Sequence, residues 1–123
     1  MSAPRLHTAL LWRLLLWTLV AGVTWLAVSP RPPASADLGW DKLNHASAFI
    51  ALAFCACQAH VGARWRSMAA LLAYGVLIEL LQSQVPNRSA DPVDVLADAL
   101  GIALGMGLAT LAGSLLARLQ PKR

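Results

Sequence analysis

The 123-residue chain is 58% hydrophobic and only 13% charged, with a mean hydropathy of +0.58, a balance that excludes an ordinary water-covered domain. Its formal net charge is +4, yet no basic helix face or base-stacking aromatic pattern accompanies it, so nucleic acid is not an expected partner. The surplus fits contact with anionic membrane lipid instead. The apolar residues fall in long blocks, which predicts an all-α integral membrane bundle of four transmembrane helices, one domain over residues 1–123.

The first predicted span runs from Ala9 to Val28, interrupted only by Arg13. A Pro-rich polar loop, "SPRPPASADLGW", follows. A rival reading takes the basic start, the apolar run and "ASA" at Ala34 to Ala36 as a secretory signal with its cleavage site. The run is long enough to span, and the stiff "SPRPP" spacer separates it from that site, so an uncleaved span is expected.

The second span covers residues 43–61, just after Asp41 and Lys42. Asp41 and His45 are four apart and share a helix face, with Asp41 also a candidate N-cap. Cys55 and Cys57 are two apart and point to different faces; without CxxC or Cys/His metal spacing, neither a disulfide nor a bound metal or cofactor is expected. His7 and His60 are expected to be structural or solvated. After the basic "GARWR" turn the third span covers residues 65–82, with Glu79 and Gln82 on one face near its end.

The loop "SQVPNRSADP" carries Arg88 and leads to the fourth span, residues 94–116. Asp94, a candidate N-cap, and Asp98 lie four apart on that span. Small residues at Ala97, Gly101, Gly105, Ala109 and Gly113 recur every fourth position, the pattern that lets membrane helices approach closely.

With four spans both termini share a side. That side holds Arg5, Arg13, Arg64, Arg66, Arg118, Lys122 and Arg123, against Arg31, Lys42 and Arg88 opposite. The positive-inside rule therefore places both termini in the cytoplasm of a multi-pass membrane protein. All six acids, Asp37, Asp41, Glu79, Asp91, Asp94 and Asp98, then fall on the outer side or in the outer half of a span. Orientation rules give acids little weight, so this distribution points to a site. A carboxylate within hydrocarbon costs several kcal/mol unless neutral, paired or wet. Asp41, Lys42, His45, Glu79, Gln82, Arg88, Asp94 and Asp98 form the candidate polar binding site, with His45 and Arg88 as partners for the buried acids.

"DKLNHASAFIALAF" and "ELLQSQVPNRSADPVDVLADALGIALG" resemble the VanZ-like family of bacterial membrane proteins. That family carries D-K-x-x-H at the second span, E-x-x-Q ending the third, an Arg in the next loop, and D-x-x-x-N with Gly on the fourth. Asp41, Lys42, His45, Glu79, Gln82, Arg88, Asp94, Gly101 and Gly105 match position by position, whereas Asp98 stands where the pattern usually has Asn. The resemblance implies a cell-envelope role of the kind linked to resistance to the glycopeptide teicoplanin, and it implies no reaction.

Three function classes follow. The leading one is an outer-leaflet site that binds an amphiphile or lipid-linked envelope component, with Arg88, Lys42 and His45 meeting anionic oxygens. The second is an intramembrane hydrolase or transferase with His45 as base and Glu79, Asp94 and Asp98 supplying acid or metal-ligand chemistry; no HExxH, nucleophile elbow or P-loop supports it. The third is an assembly partner of another membrane protein. The sequence leaves ligand and oligomeric state open.

Overall fold

The computed structural model describes residues 3–60 and 62–120, with side chains from His7 onward. Val61, Lys122, Arg123 and the Arg5 side chain, all used above, lie outside the described residues. The chain is all-helical, as expected. Four helices, α1 (Ala3–Val28), α2 (Asp41–Gln58), α3 (Arg64–Gln82) and α4 (Pro92–Leu119), are joined by loops, with a short 3₁₀ turn at Ala34–Ala36. No strand occurs among the described residues.

Contacts at the two ends of the bundle define an up-down-up-down order. At one end the Arg13 Nε–H donates to the Ala59 carbonyl at 3.2 Å, Trp12 meets Phe54 edge to face at 5.8 Å, and Arg64 bonds the Thr110 hydroxyl. These tie early α1 to late α2, and the start of α3 to the second half of α4. At the opposite end the start of α2 meets the first turns of α4 and the end of α3.

The centre of the molecule is the α2–α4 contact, where Phe49, Leu52, Ala53 and Ile102 are at most 1% exposed. It is close because α4 lacks side chains there. A Cβ at Gly101 would stand 2.5 Å from the Ala46 carbonyl oxygen, and one at Gly105 would lie 2.9 Å from the Ala53 Cβ. The small-residue stripe predicted on α4 thus packs on α2 as far as Ala109, which is buried, with Ala97 half-buried. Gly113 departs from the expectation: it is exposed and a Cβ there would meet nothing within 4 Å, because α4 has by then run past its partner.

Two helical stretches, His7–Val28 and Pro92–Leu119, are long and apolar enough to cross a membrane, and both lie mostly outside the protein interior. Leu96, Leu100, Leu104 and Leu108 form an outward row on α4, each about half exposed or more. These features are compatible with a membrane protein. α2 and α3 are shorter, 18 and 19 residues, or about 27 and 28 Å at 1.5 Å per residue against a hydrocarbon core of about 30 Å. They also carry polar groups at their ends, Asp41, Lys42 and His45 on α2 and Arg64, Arg66, Glu79 and Gln82 on α3. Length and composition alone therefore mark two helices rather than four.

Candidate polar site at one end of the bundle

All eight sequence-predicted site residues come together at the end of the bundle where α2 and α4 begin and α3 finishes. His45, one turn into α2, is the hub. Its Nδ1 lies 2.9 Å from Asp98 Oδ1, while Nε2 faces Glu79 Oε1 at 3.4 Å and Asp94 Oδ2 at 3.9 Å. This bond holds the imidazole ring against α4. Asp94 and Asp98 are 0% exposed, His45 and Glu79 7% and Gln82 3%. A polar group so enclosed is stable only with partners, and the partners come from three different helices.

Glu79 closes the α3–α4 connection: its Oε2 accepts the backbone N–H of Asp91 at 2.9 Å. The surroundings also fix the Gln82 amide, which donates to Glu79 Oε1 at 3.2 Å and accepts from Arg88 Nη2 at 2.6 Å. Arg88 therefore reaches the acids through Gln82; among the described residues no ion pair joins it directly to a carboxylate, contrary to the simple neutralisation expected from the sequence. Lys42 supplies that pairing, with its ammonium 2.8 Å from Asp91 and 3.3 Å from Asp94 Oδ1.

The capping roles also differ from expectation. Asp91, not Asp94, caps α4: its Oδ1 accepts the Val93 N–H at 2.9 Å, with Pro92 next, where a missing N–H costs nothing. The Asp-Pro pair was the available signal, and it frees Asp94 to turn inward. On α2 the cap position is Trp40, and Asp41 is already the first helical residue. The Lys42 hydrogen bond, then the Val93 N–H, holds the Asp91 carboxyl below the ordinary carboxylate range.

Two further contributors were not singled out in the sequence. Gly75 of α3 makes room for Asp98: a Cβ there would come within 2.6 Å of Asp98 Oδ2. The loop before α2 is fastened by Asp37, whose Oδ1 accepts from the Asn44 amide at 2.9 Å and from the Gly39 N–H at 2.8 Å. Gly39 turns there with φ of +85°, a conformation open to glycine without strain. Of the bland residues, Cys55 packs in the core beside Leu52, and Cys57 is half-buried.

Next to this cluster lies a pocket of about 550 Å³. Val23, Leu26 and Ala27 of α1 with Ala48, Phe49 and Ile78 form its apolar side; Asp41, Asn44, His45, Gln82 and Arg88 supply its polar side. His45 therefore faces the pocket while its ring nitrogens engage acids of α3 and α4 behind it.

No curated protein and no solved structure matches the chain. The model of the VanZ/LLP1 family matches residues 7–113, which takes in α2, α3, most of α1 and α4, and every residue of the polar cluster. The chain belongs to the VanZ/LLP1 family.

Proposed function

We propose that this protein is a small envelope protein of the bacterial inner membrane whose outward-facing pocket binds an amphiphile or a lipid-linked envelope component. The observation that carries this reading is the two-sided pocket: an apolar wall from α1 beside Arg88, His45 and Gln82. An acyl or isoprenoid chain fits the first, and an anionic head group the second. All four helices cross the membrane, with the shorter α2 packed at the centre against α4, and both termini lie in the cytoplasm. The charge arrangement supports this sense, since Arg13 and Arg64 lie at the end opposite the acids. A glycopeptide-resistance role would follow if the component is one that such drugs engage.

Native mass spectrometry of the protein released in mild detergent tests the reading. The wild type should carry an amphiphile adduct. Ser47→Phe, which fills the pocket from its half-buried wall, and Arg88→Gln, which removes the anion partner, should lose it while keeping their helical content. Bare wild-type protein would contradict the proposal, and a co-purifying protein subunit in place of lipid would favour the assembly-partner reading.

One observation favours an enzymatic reading as a second choice. Asp98 is bonded to the Nδ1 of an imidazole that lines the pocket, the acid–histidine pairing from which general bases are built, with Nε2 turned toward Glu79 and Asp94. Turnover of a bound envelope lipid, abolished by His45→Gln, would establish it.

A further inference from the structure

We infer that Asp41, His45 and Asp94 hold a divalent cation of the class served by mixed nitrogen and oxygen ligands, Zn²⁺ or Mn²⁺, at the boundary between the pocket and the buried acids. One ligand atom from each residue falls within a sphere where all lie no more than 4.8 Å apart. The spacing along the chain holds no metal motif because the ligands come from two helices: Asp41 and His45 from successive turns of α2, Asp94 from the first turn of α4.

Three observations carry the assignment. First, Asp94 is 0% exposed, and its oxygens have no well-aligned donor, only the Lys42 ammonium and the Asp41 carboxyl beside them. Oδ1 has the Lys42 ammonium at 3.3 Å, but Oδ2 is aimed at His45 Nε2 across 3.9 Å, too far for a hydrogen bond. A bare carboxylate oxygen in the interior is costly, and a cation placed between these two atoms would satisfy both.

Second, the imidazole is prepared for a metal. Asp98 occupies Nδ1 at 2.9 Å, which leaves Nε2 facing Glu79 and Asp94. A carboxylate on the far nitrogen is the usual way a ligating histidine is held in tautomer and orientation.

Third, oxygen ligands are plentiful here: Asp41, Glu79, Asp91, Asp94 and Asp98 gather with Lys42 and Arg88 around one imidazole. Asp41 is exposed and lines the pocket, so an ion can reach the site from outside. Aspartate oxygens with one imidazole select Zn²⁺ or Mn²⁺ over Ca²⁺ and over Cys-bound metals. Three ligands leave coordination positions open toward the pocket. The ion would sit there whatever fills the pocket, so the inference stands apart from the amphiphile reading.

The full-length protein, stripped with chelator in detergent, should take up about one equivalent of Zn²⁺ or Mn²⁺ in a saturable titration read by calorimetry and elemental analysis. Asp94→Asn and His45→Ala should abolish uptake. Asp98→Leu should weaken it by roughly 10–100-fold, as loss of a histidine's orienting partner typically does. Asp41→Asn, at an exposed position whose change leaves the interior untouched, should weaken uptake with helical content intact. With Mn²⁺ bound, pulsed electron spin resonance should show coupling to one imidazole nitrogen. No saturable uptake by the wild type, equal uptake by Asp94→Asn and Asp41→Asn, or Mn²⁺ without nitrogen coupling would each overturn the site.

Discussion

At the residue scale the site is a set of acids held by unequal partners. Asp98 illustrates the difference between a charge that folding needs and one it does not. Its Oδ1 bonds His45 Nδ1, a contact an amide oxygen makes as well, and its Oδ2 lies over Gly75 without a donor. Asp98→Asn, which restores the amide usual in the family, is expected to accumulate at wild-type level, as immunoblots of membranes would show. Gly75→Ala should be worse, because its new methyl meets Asp98 at close range; a melting temperature lower by several degrees in detergent is expected.

Asp91 gives a prediction with a definite sign. Its folded carboxyl titrates below the ordinary value because Lys42 and the Val93 N–H hold the charged form. Its contribution is therefore fully present above the unfolded pKa of about 3.9 and is lost as pH falls through the lower folded value. Thermal melts of the wild type and Asp91→Asn across pH should differ by a constant amount above about pH 4 and converge below it. A gap that widens in acid would contradict the assignment.

At the scale of elements, the α4 stripe decides how the bundle closes. Gly101→Leu and Gly105→Leu force a side chain into the α2 backbone, an overpacking that costs about 1–3 kcal/mol or more. Both should fail to accumulate, whereas Gly113→Leu should be silent in the same membrane-fraction assay. The fourfold spacing of small residues made this contact legible in the sequence, since period alone places residues on one face. Where the stripe ends was not legible: only the length of the facing helix shows that Gly113 has passed its partner. Six of the eight polar residues, Asp41/His45, Glu79/Gln82 and Asp94/Asp98, could be grouped because each pair sat at helical spacing near a span end; Lys42 and Arg88 joined them as the basic groups on that side. The space beside Gly75 and the α1 wall of the pocket were hidden for a common reason. Each depends on which helix lies opposite, and an apolar helix exposed on most sides carries no pattern that says so.

At the scale of the whole molecule, charge is separated along the bundle. The acids cluster where α2 and α4 start, and Arg13 and Arg64 bind at the other end. Reporter fusions after Pro33 and after Arg88 should read as extracytoplasmic, and fusions after Arg64 or Arg123 as cytoplasmic. A cytoplasmic signal after Arg88 would turn the pocket to the opposite face of the membrane and remove access to outer-leaflet ligands.

The central claim is that this end of the bundle is charged in order to bind and not merely to hold the helices together. The measurement that bears on it most directly is the amount of co-purifying amphiphile per molecule of Glu79→Gln, set against the abundance of that variant in the membrane. A glutamine oxygen can still accept the Asp91 N–H, so the α3–α4 connection survives the change while one charge facing His45 disappears. Abundance near wild type with little or no bound amphiphile is the predicted result. Abundance that falls in step with retention would make the cluster a structural network, and undiminished retention at full abundance would remove Glu79 from the site.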